Sequence, residues 1–439
     1  MPTPVSDTAR AIAQSVRALH EVITTSAHLD SAISKHVTDN QPLCQQLCYG
    51  ALREYYSLCY SVTRHLDKPL PGKHHDILLL LVVGAYQIKE MHIGSHAAVN
   101  ETVNAAVLLK KPWAKGLANA VLRKVAKQPH ATTPPEDSQA AHNHPQWLAR
   151  RIVKAWPDQA TAILAANNLR APLSLRVNLS RITRDAYQQK LMDAGLDSEK
   201  GLLSPACLIL TRAVSTRELP GFLEGLVSVQ DQAAQLAALL LDPQPGQRIL
   251  DACAAPGGKC CHLLEISPQL GELVALEKDR QRSALIKDNL SRLGQQCKLE
   301  VSDLLEYQDQ KGFHGILLDV PCSATGIIRR HPDIRFHRRE EDIAAFSHQQ
   351  RDLLTHAWGL LKPGGALLYC TCSILPEENQ RVIEGFLQQT PAAALKWAQQ
   401  GTPTWGMPSA HGITLLPGMA QTDGFFYARL VKKGATGEG

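Results

Sequence analysis

Short apolar runs in the second half of the sequence alternate with patterns typical of helices, and few folds accept that alternation. The runs that predict strands are at residues 248–252, 272–277, 298–302, 315–319 and 366–371. Strands that are separated by helices pair in parallel and are covered by helices on both faces of the sheet. Residues 227–433 are therefore predicted to form an α/β, Rossmann-like domain.

The sequence before this domain divides into a helical part and a mixed part. Apolar residues recur at helical spacing, which predicts an all-α domain over residues 1–127. Residues 128–144 are rich in Pro, Thr and His and have no periodic pattern, so they are predicted to be a linker. Residues 145–226 combine helical and strand-like patterns, which predicts a small α+β module. The chain is thus multidomain.

Composition and charge exclude some classes of protein. The longest purely apolar stretch, residues 77–85, is much shorter than the roughly 20 residues of a membrane-spanning helix. The first ten residues do not resemble a secretory signal. We therefore expect a cytoplasmic protein that does not bind membranes. The 11 cysteines lack the spacing of a disulfide framework, and the net charge of +5 is only a mild preference for polyanions.

Residues 249–259, with the sequence ILDACAAPGGK, run from a predicted strand through a turn of small residues into a predicted helix. Small residues let the main chain approach a ligand, and the N–H groups of a helix N-terminus suit a carboxylate or a phosphate. The turn contains neither G-x-G-x-x-G nor G-x-x-x-x-G-K-[ST]. It therefore fits a dinucleotide or a nucleoside triphosphate poorly.

Acidic residues follow the next two predicted strands. Glu277 ends the second strand, where an acid can accept hydrogen bonds from ribose hydroxyls, and Asp303 follows the third. Ligands of open α/β sheets bind beyond the carboxyl ends of the strands, so these acids should face one crevice. Each acid could instead cap the helix that follows it. Their order behind the glycine turn favours a ligand that contains a nucleoside.

Two further strands bring thiols to the same edge of the sheet. The fourth strand leads into residues 319–326 (DVPCSATG), and the fifth leads into residues 369–373 (YCTCS). Cys322 and Cys372 are therefore predicted to lie within reach of one pocket. Such a pair suits methylation of carbon 5 of cytosine, because a thiolate that adds to C6 makes C5 nucleophilic enough to attack a sulfonium methyl group. A second group must then help to remove the C5 proton so that the thiol can leave.

The C-x-C at Cys370 and Cys372 could also bind zinc. No C-x-x-C or nearby histidine pair completes four ligands at a familiar spacing. We therefore expect no metal ion.

Three motifs, DACAAPGGK, DxPCSATG and TCSIxxxEN, occur in this order and resemble those of the Nol/Nop/Sun family of RNA cytosine C5 methyltransferases. The resemblance implies a class I methyltransferase domain that uses S-adenosyl-L-methionine. It also implies that Cys372 is the nucleophile, that Cys322 assists product release and that Asp319 holds the target base. DNA cytosine methyltransferases use the thiol of the P-C motif instead. The cofactor contacts that the resemblance implies are Cys253, Ala254, Ala255, Pro256, Gly257, Gly258, Lys259, Glu277, Asp303 and Asp319.

The N-terminal part of the chain extends the resemblance. Residues 96–103 and 115–123 resemble the NusB-like RNA-binding domain of a bacterial branch that acts on 16S ribosomal RNA. The resemblance therefore implies 16S rRNA as the partner, and we expect the protein to be a monomer. Glu277, Val320 and Cys370 depart from the family pattern, which often has Asp, Ala and Ala at these places.

Residues 329–339 carry five arginines and two histidines against one acid, Asp333. Because this stretch follows the P-C-S motif, we predict phosphate contacts for arginines within it. The predicted RNA-binding residues are Arg329, Arg330, Arg335 and Arg338. The alternative is a solvated surface loop. The target cytosine should be unpaired or flipped, since chemistry at C5 needs both faces of the ring.

Two other functions remain open from the sequence. The chain could be an RNA-binding factor of the antitermination type with a non-catalytic methyltransferase fold, or a transfer RNA cytosine C5 methyltransferase. The intact Cys322, Cys372 and glycine turn argue against the non-catalytic alternative.

Overall fold

The computed structural model describes residues 6–91, 93–127, 134–136, 138–397 and 403–434. Within these ranges, no helix is both long enough and apolar enough to cross a membrane.

The chain forms two compact units. The first contains residues 1–169 and 328–340, and the second contains residues 170–327 and 341–439. In the predicted linker, residues 128–133 and 137 lie outside the described residues.

The first unit is built from helices, which extend beyond the predicted all-α region of residues 1–127 into the predicted linker and the start of the predicted α+β module. They are α1 (Asp7–Thr25), α2 (Leu29–His36), α3 (Gln41–Arg53), α4 (Tyr55–Thr63), α5 (His75–Glu90), α6 (Ser95–Leu108), α7 (Ala114–Lys127), α8 (Gln139–His142), α9 (Gln146–Ala155) and α10 (Ala160–Asn168). Helix α5 is apolar on all sides and buries residues from Ile77 to Ile88. A helix with this pattern forms the centre of a core rather than its surface. Residues of α1, including Ile12 and Leu19, belong to the same core.

Residues 328–340 pack within this unit and include one helical turn, Ile334–His337. The Phe336 ring lies 5.0 Å from the Tyr55 ring and 5.9 Å from the Tyr56 ring. The contacts between these partly buried rings hold the segment against α4.

The second unit begins with a small antiparallel sheet. Its strands are β1 (Leu173–Val177), β2 (Ser198–Lys200), β3 (Cys207–Leu210) and β4 (Val227–Val229), in the order β2-β3-β1-β4. Helix α11 (Arg184–Asp193) buries Tyr187 and Leu191 in the same apolar core as Leu175 and Leu208. The predicted α+β character is confirmed, although the sheet also includes β4, which lies just after the predicted module of residues 145–226.

The rest of the second unit contains a nine-stranded sheet and the helices that connect its strands. Its strands are β5 (Arg248–Asp251), β6 (Glu272–Leu276), β7 (Lys298–Glu300), β8 (Phe313–Asp319), β9 (Leu361–Thr371), β10 (Ala393–Leu395), β11 (Met407–Ser409), β12 (Gly412–Leu415) and β13 (Phe425–Lys432). The helices of this region are α12 (Gln232–Leu241), α13 (Gly258–Ile266), α14 (Arg280–Leu293), α15 (Asp342–Leu360) and α16 (Gln380–Gln389).

The order of this sheet is β11-β12-β13-β9-β8-β5-β6-β7, with β10 paired to β13. All five predicted strands are present and pair in parallel. Strands β10 to β13, which were not predicted, add antiparallel pairs at the β9 side, so the sheet as a whole is mixed. The parallel strands bring the ends of β5, β6, β8 and β9 to one edge, where the predicted site residues follow them.

Candidate active site

The turn after β5 is shaped for close approach of a ligand. Gly257, just before α13, has φ +101, a conformation that side chains with a Cβ rarely adopt. A Cβ added at Gly257 would also lie 3.1 Å from the Cα of Ile286. Glycine is therefore required here by both conformation and space, and the N–H groups at the start of α13 remain open to a ligand.

Glu277 follows β6 and is almost fully buried. Its carboxylate accepts a hydrogen bond of 2.9 Å from the Asp279 N–H and lies 3.6 Å from the guanidinium of Arg282. Asp303 follows β7 and accepts a hydrogen bond from the Leu305 N–H at 3.0 Å, so it does cap the next turn. Both acids nevertheless line one cavity.

Asp319, at the end of β8, is paired with Lys259 of α13. The Lys259 Nζ lies 2.6 Å from the Asp319 Oδ2. Burial lowers the pKa of Lys259, but the charge and hydrogen bond of Asp319, together with the nearby Cys370 and Cys372, outweigh this effect and raise the pKa above its usual range. The ion pair fixes the glycine turn to the strand that precedes Cys322.

Asp251, the last residue of β5, is buried beside these acids. Its carboxylate oxygens form no hydrogen bond of normal geometry with the described residues, although the Cys253 N–H lies close enough to act on its pKa. Burial and the neighbouring charge of Asp319 raise the pKa of Asp251 to about 7. A buried acid without a donor favours a cationic group nearby. Asp251 was not among the predicted site residues, because the strand pattern alone gave it only a place in the sheet.

The two predicted thiols lie together. The Sγ atoms of Cys322 and Cys372 are 3.4 Å apart, since β8 and β9 pair in parallel and end side by side. The hydrogen bond to Cys372, together with burial, raises the pKa of Cys322 well above its usual range. Cys322 therefore keeps its proton, while Cys372 is only partly buried.

Cys370 has another partner. Its thiol donates a hydrogen bond of 3.5 Å to the Asp319 Oδ1, and its side chain is fully buried. Burial raises the pKa of Cys370 well above its usual range. The two cysteines of the C-x-C therefore have different partners: Cys370 is hydrogen-bonded to Asp319, and Cys372 lies beside Cys322.

A cavity of about 200 Å³ is lined by seven of the twelve residues predicted for catalysis or cofactor binding. The predicted residues in its wall are Cys253, Ala255, Glu277, Asp303, Asp319, Cys322 and Cys372. Lys259 is not in the wall, but its ammonium group donates a hydrogen bond to Asp319, which is. The wall also contains Lys278, Arg282 and Gln349, which the sequence analysis did not single out.

The predicted RNA-binding arginines lie in the first unit, within residues 328–340. Arg335 is 2% exposed and donates hydrogen bonds to the Arg53 carbonyl at 2.7 Å and to the Asn168 Oδ1 at 2.6 Å. Arg329 is also buried. Neither buried guanidinium presents itself to a phosphate in this structure, whereas Arg330 and Arg338 are partly exposed.

One group of side chains in the described ranges has a spacing that a metal ion could use. The ligand atoms of His28, Asp333 and His337, in the first unit, all lie within 4.8 Å of one another. Asp333 accepts a hydrogen bond from the Leu29 N–H at 3.1 Å, and the His337 Nε2 lies 2.7 Å from the Ala27 carbonyl. Through these contacts, Asp333 and His337 pack against the residues at the start of α2.

Known protein families match all three predicted regions. The family described as 16S rRNA methyltransferase RsmB/F matches residues 238–431. A ferredoxin-like domain of RsmF/B-like methyltransferases matches residues 144–217, and the NusB family matches residues 7–127.

Individual relatives match over nearly the whole chain. The "Ribosomal RNA small subunit methyltransferase B" of Pseudomonas syringae pv. tomato is 44% identical over 434 residues, which covers 96% of this chain and 97% of the relative. The "Probable ribosomal RNA small subunit methyltransferase B" of Coxiella burnetii is 42% identical, with 94% and 97% covered. The crystal structure of PH0851 has a TM-score of 0.80 at 26% identity, and the match covers 97% of this chain and 98% of that one.

Proposed function

Because the chain belongs to the 16S rRNA methyltransferase RsmB/F family, we propose that it methylates carbon 5 of a cytosine in 16S rRNA with S-adenosyl-L-methionine as methyl donor. The observation that carries the proposal is the pair of thiols, Cys322 and Cys372, with sulfur atoms 3.4 Å apart in the wall of an acidic cavity. Methyl transfer to oxygen or nitrogen needs no such pair, whereas C5 of cytosine needs a thiol at C6.

The charges around the cavity suit this cofactor. S-adenosyl-L-methionine, when bound, supplies the methyl group from a positively charged sulfur. Glu277, Asp303 and Asp319 line the cavity, and the unpartnered Asp251 lies behind them. These acids outnumber the two basic residues of the wall, Lys278 and Arg282, so the charge balance favours a cationic nucleoside over a nucleotide phosphate. The turn of residues 253–259 would hold the cofactor at the N-terminus of α13.

Cys372 is the nucleophile of the proposed reaction. It is the more exposed of the two thiols and follows β9 directly. Its thiolate forms a bond to C6, and the electron pair of the C5–C6 double bond moves to C5, which takes the methyl group. Asp319, held by Lys259, lies on the same wall and positions the base.

Cys322 assists release of the product. After methyl transfer, a base removes the C5 proton, the double bond forms again and the Cys372 sulfur leaves C6 as a thiolate. Cys322 keeps its proton and lies 3.4 Å from that sulfur, so its S–H can stabilise the departing thiolate. The two thiols thus have different tasks.

The function is tested by mapping 5-methylcytosine after incubation of the protein with S-adenosyl-L-methionine and purified 16S rRNA or transfer RNA. We expect a single modified cytosine in 16S rRNA and none in transfer RNA. Modification of transfer RNA alone would support the transfer RNA alternative. No modification of either RNA by a protein that binds both cofactor and 16S rRNA would support a non-catalytic RNA-binding factor.

A further inference from the structure

A buried carboxylate, Glu378, lies directly behind the two thiols. It belongs to the turn Pro376–Glu378 between β9 and α16, and it is 0% exposed. It does not line the cavity, so it cannot contact the cofactor or the base there. The mechanism above gives it no task.

Glu378 binds the residue that follows each thiol. Its Oε1 accepts a hydrogen bond of 2.7 Å from the Ser323 N–H, and its Oε2 accepts one from the Ser323 hydroxyl. The same Oε2 accepts a hydrogen bond of 2.6 Å from the Ser373 hydroxyl. One carboxylate therefore connects the loop that carries Cys322 to the loop that carries Cys372.

Neighbouring side chains complete this network. Gln350 of α15 donates to the Glu378 Oε1 at 3.2 Å and to the Pro321 carbonyl at 2.9 Å, so the main chain is held on both sides of Cys322. Asn379 donates to the Ser373 carbonyl at 2.8 Å. All of these side chains are buried, where hydrogen bonds are costly to break.

We propose that Glu378 is a positioning residue that sets the separation of the Cys322 and Cys372 sulfur atoms. The catalytic use of that separation rests on the proposed function, but the geometric effect does not. An ionised carboxylate can accept hydrogen bonds at both oxygens from two loops at once. Gln at the same position keeps the size of the side chain but carries no charge and only one acceptor oxygen, so it cannot accept hydrogen bonds from the Ser323 N–H and from both serine hydroxyls at once.

The separation can be measured without RNA. Diamide takes one hydrogen atom from each of two thiols, and their sulfur atoms form a disulfide; peptide mass spectrometry identifies the Cys322–Cys372 bond. We expect Glu378→Gln to slow this bond formation by about tenfold, because misplacement by about 1 Å can cost as much as 10²-fold. Glu377→Gln is the matched control, since that side chain pairs with Arg381 at 3.6 Å.

A second pair of measurements separates positioning from general damage. Glu378→Gln should lower kcat with 16S rRNA and leave the dissociation constant for S-adenosyl-L-methionine unchanged. If Glu378→Gln does not fold, Ser373→Ala removes a single donor to the same carboxylate and should give a smaller effect in the same direction. An unchanged disulfide rate in a folded Glu378→Gln variant would overturn the proposal. A slowed disulfide rate in a protein that does not form 5-methylcytosine would support the positioning role and reject the proposed function.

Discussion

The loop of residues 320–326 and the segment of residues 328–340 are neighbours in sequence but use their polar side chains in opposite ways. The loop belongs to the second unit and places Cys322 in the wall of the cavity. The segment belongs to the first unit and buries Arg335, whose hydrogen bonds go to Arg53, Asn167 and Asn168. Residues 320–326 thus place a reactive thiol in the wall of a cavity, whereas residues 328–340 use a charged side chain for internal packing.

This difference shows what a dense run of arginines can and cannot indicate. Clustered positive charge near a reactive loop favours phosphate binding, and that argument led to the prediction for Arg335. A guanidinium can equally satisfy several carbonyl groups inside a protein, because it has five donors in a fixed plane. Burial decides between the two uses, and the spacing of residues 328–340 has no clear helical or strand period that would reveal it.

The largest effect should come from Cys372→Ala. Without a thiol to add to C6, methyl transfer to 16S rRNA should fall by about 10⁴-fold or more. Binding of S-adenosyl-L-methionine, measured by calorimetry, should be unchanged. Cys297→Ala is the control, since Cys297 is a partly buried cysteine of the same unit. Turnover retained by Cys372→Ala would remove the nucleophile assignment.

Cys322→Ala should lower turnover by roughly 10²-fold and trap a covalent complex. Once release is impaired, the bond between Cys372 and C6 persists, and a complex of protein and RNA should survive a denaturing gel. The double variant with Cys372→Ala should give no such complex. If Cys372→Ala traps the complex and Cys322→Ala does not, the roles of the two thiols are reversed.

Arg335→Met tests the other side of the comparison. Loss of the guanidinium leaves the Arg53 carbonyl and the Asn168 amide oxygen without their buried donor, which should lower the free energy of unfolding by about 2 kcal/mol. Thermal unfolding of Arg335→Met and of Arg339→Met, at an exposed position, provides the measurement. Equal stability of the two variants with a specific loss of RNA affinity in Arg335→Met would restore the prediction of a phosphate contact.

The sequence predicted the parts of the fold that local patterns encode. Apolar runs and turns located all five parallel strands, and the ends of those strands located Glu277, Asp303, Cys322 and Cys372. Strands β10 to β13 were missed, because their order and antiparallel direction depend on partners that the local sequence pattern does not reveal. Asp251 and Glu378 belong to the DACAAPGGK and TCSIxxxEN motifs, but no role was predicted for either, because their roles depend on burial and on partners far away in sequence, such as Ser323.

Asp251 should make cofactor binding depend on pH. In the ligand-free protein its pKa is raised to about 7, so the carboxyl is mostly protonated at pH 6. A cationic ligand favours the carboxylate and releases the proton, so affinity for S-adenosyl-L-methionine should rise by up to about tenfold from pH 6 to pH 8. For the same reason, this group lowers the stability of the ligand-free protein as pH rises from about 4 to 7. Calorimetry of Asp251→Asn should give a flatter pH profile, and an unchanged profile would exclude this origin.

The smallest effect concerns the partly exposed arginines of residues 328–340. If Arg338 contacts a phosphate, Arg338→Ala should weaken binding of 16S rRNA and reduce the slope of log K against log salt concentration by about 0.7 to 0.9. Arg338→Lys keeps the charge and should keep most of that slope. Filter binding at several salt concentrations distinguishes the two variants. Equal slopes for Arg338→Ala and the unaltered protein would extend the packing role from Arg335 to Arg338 and place the RNA contacts elsewhere.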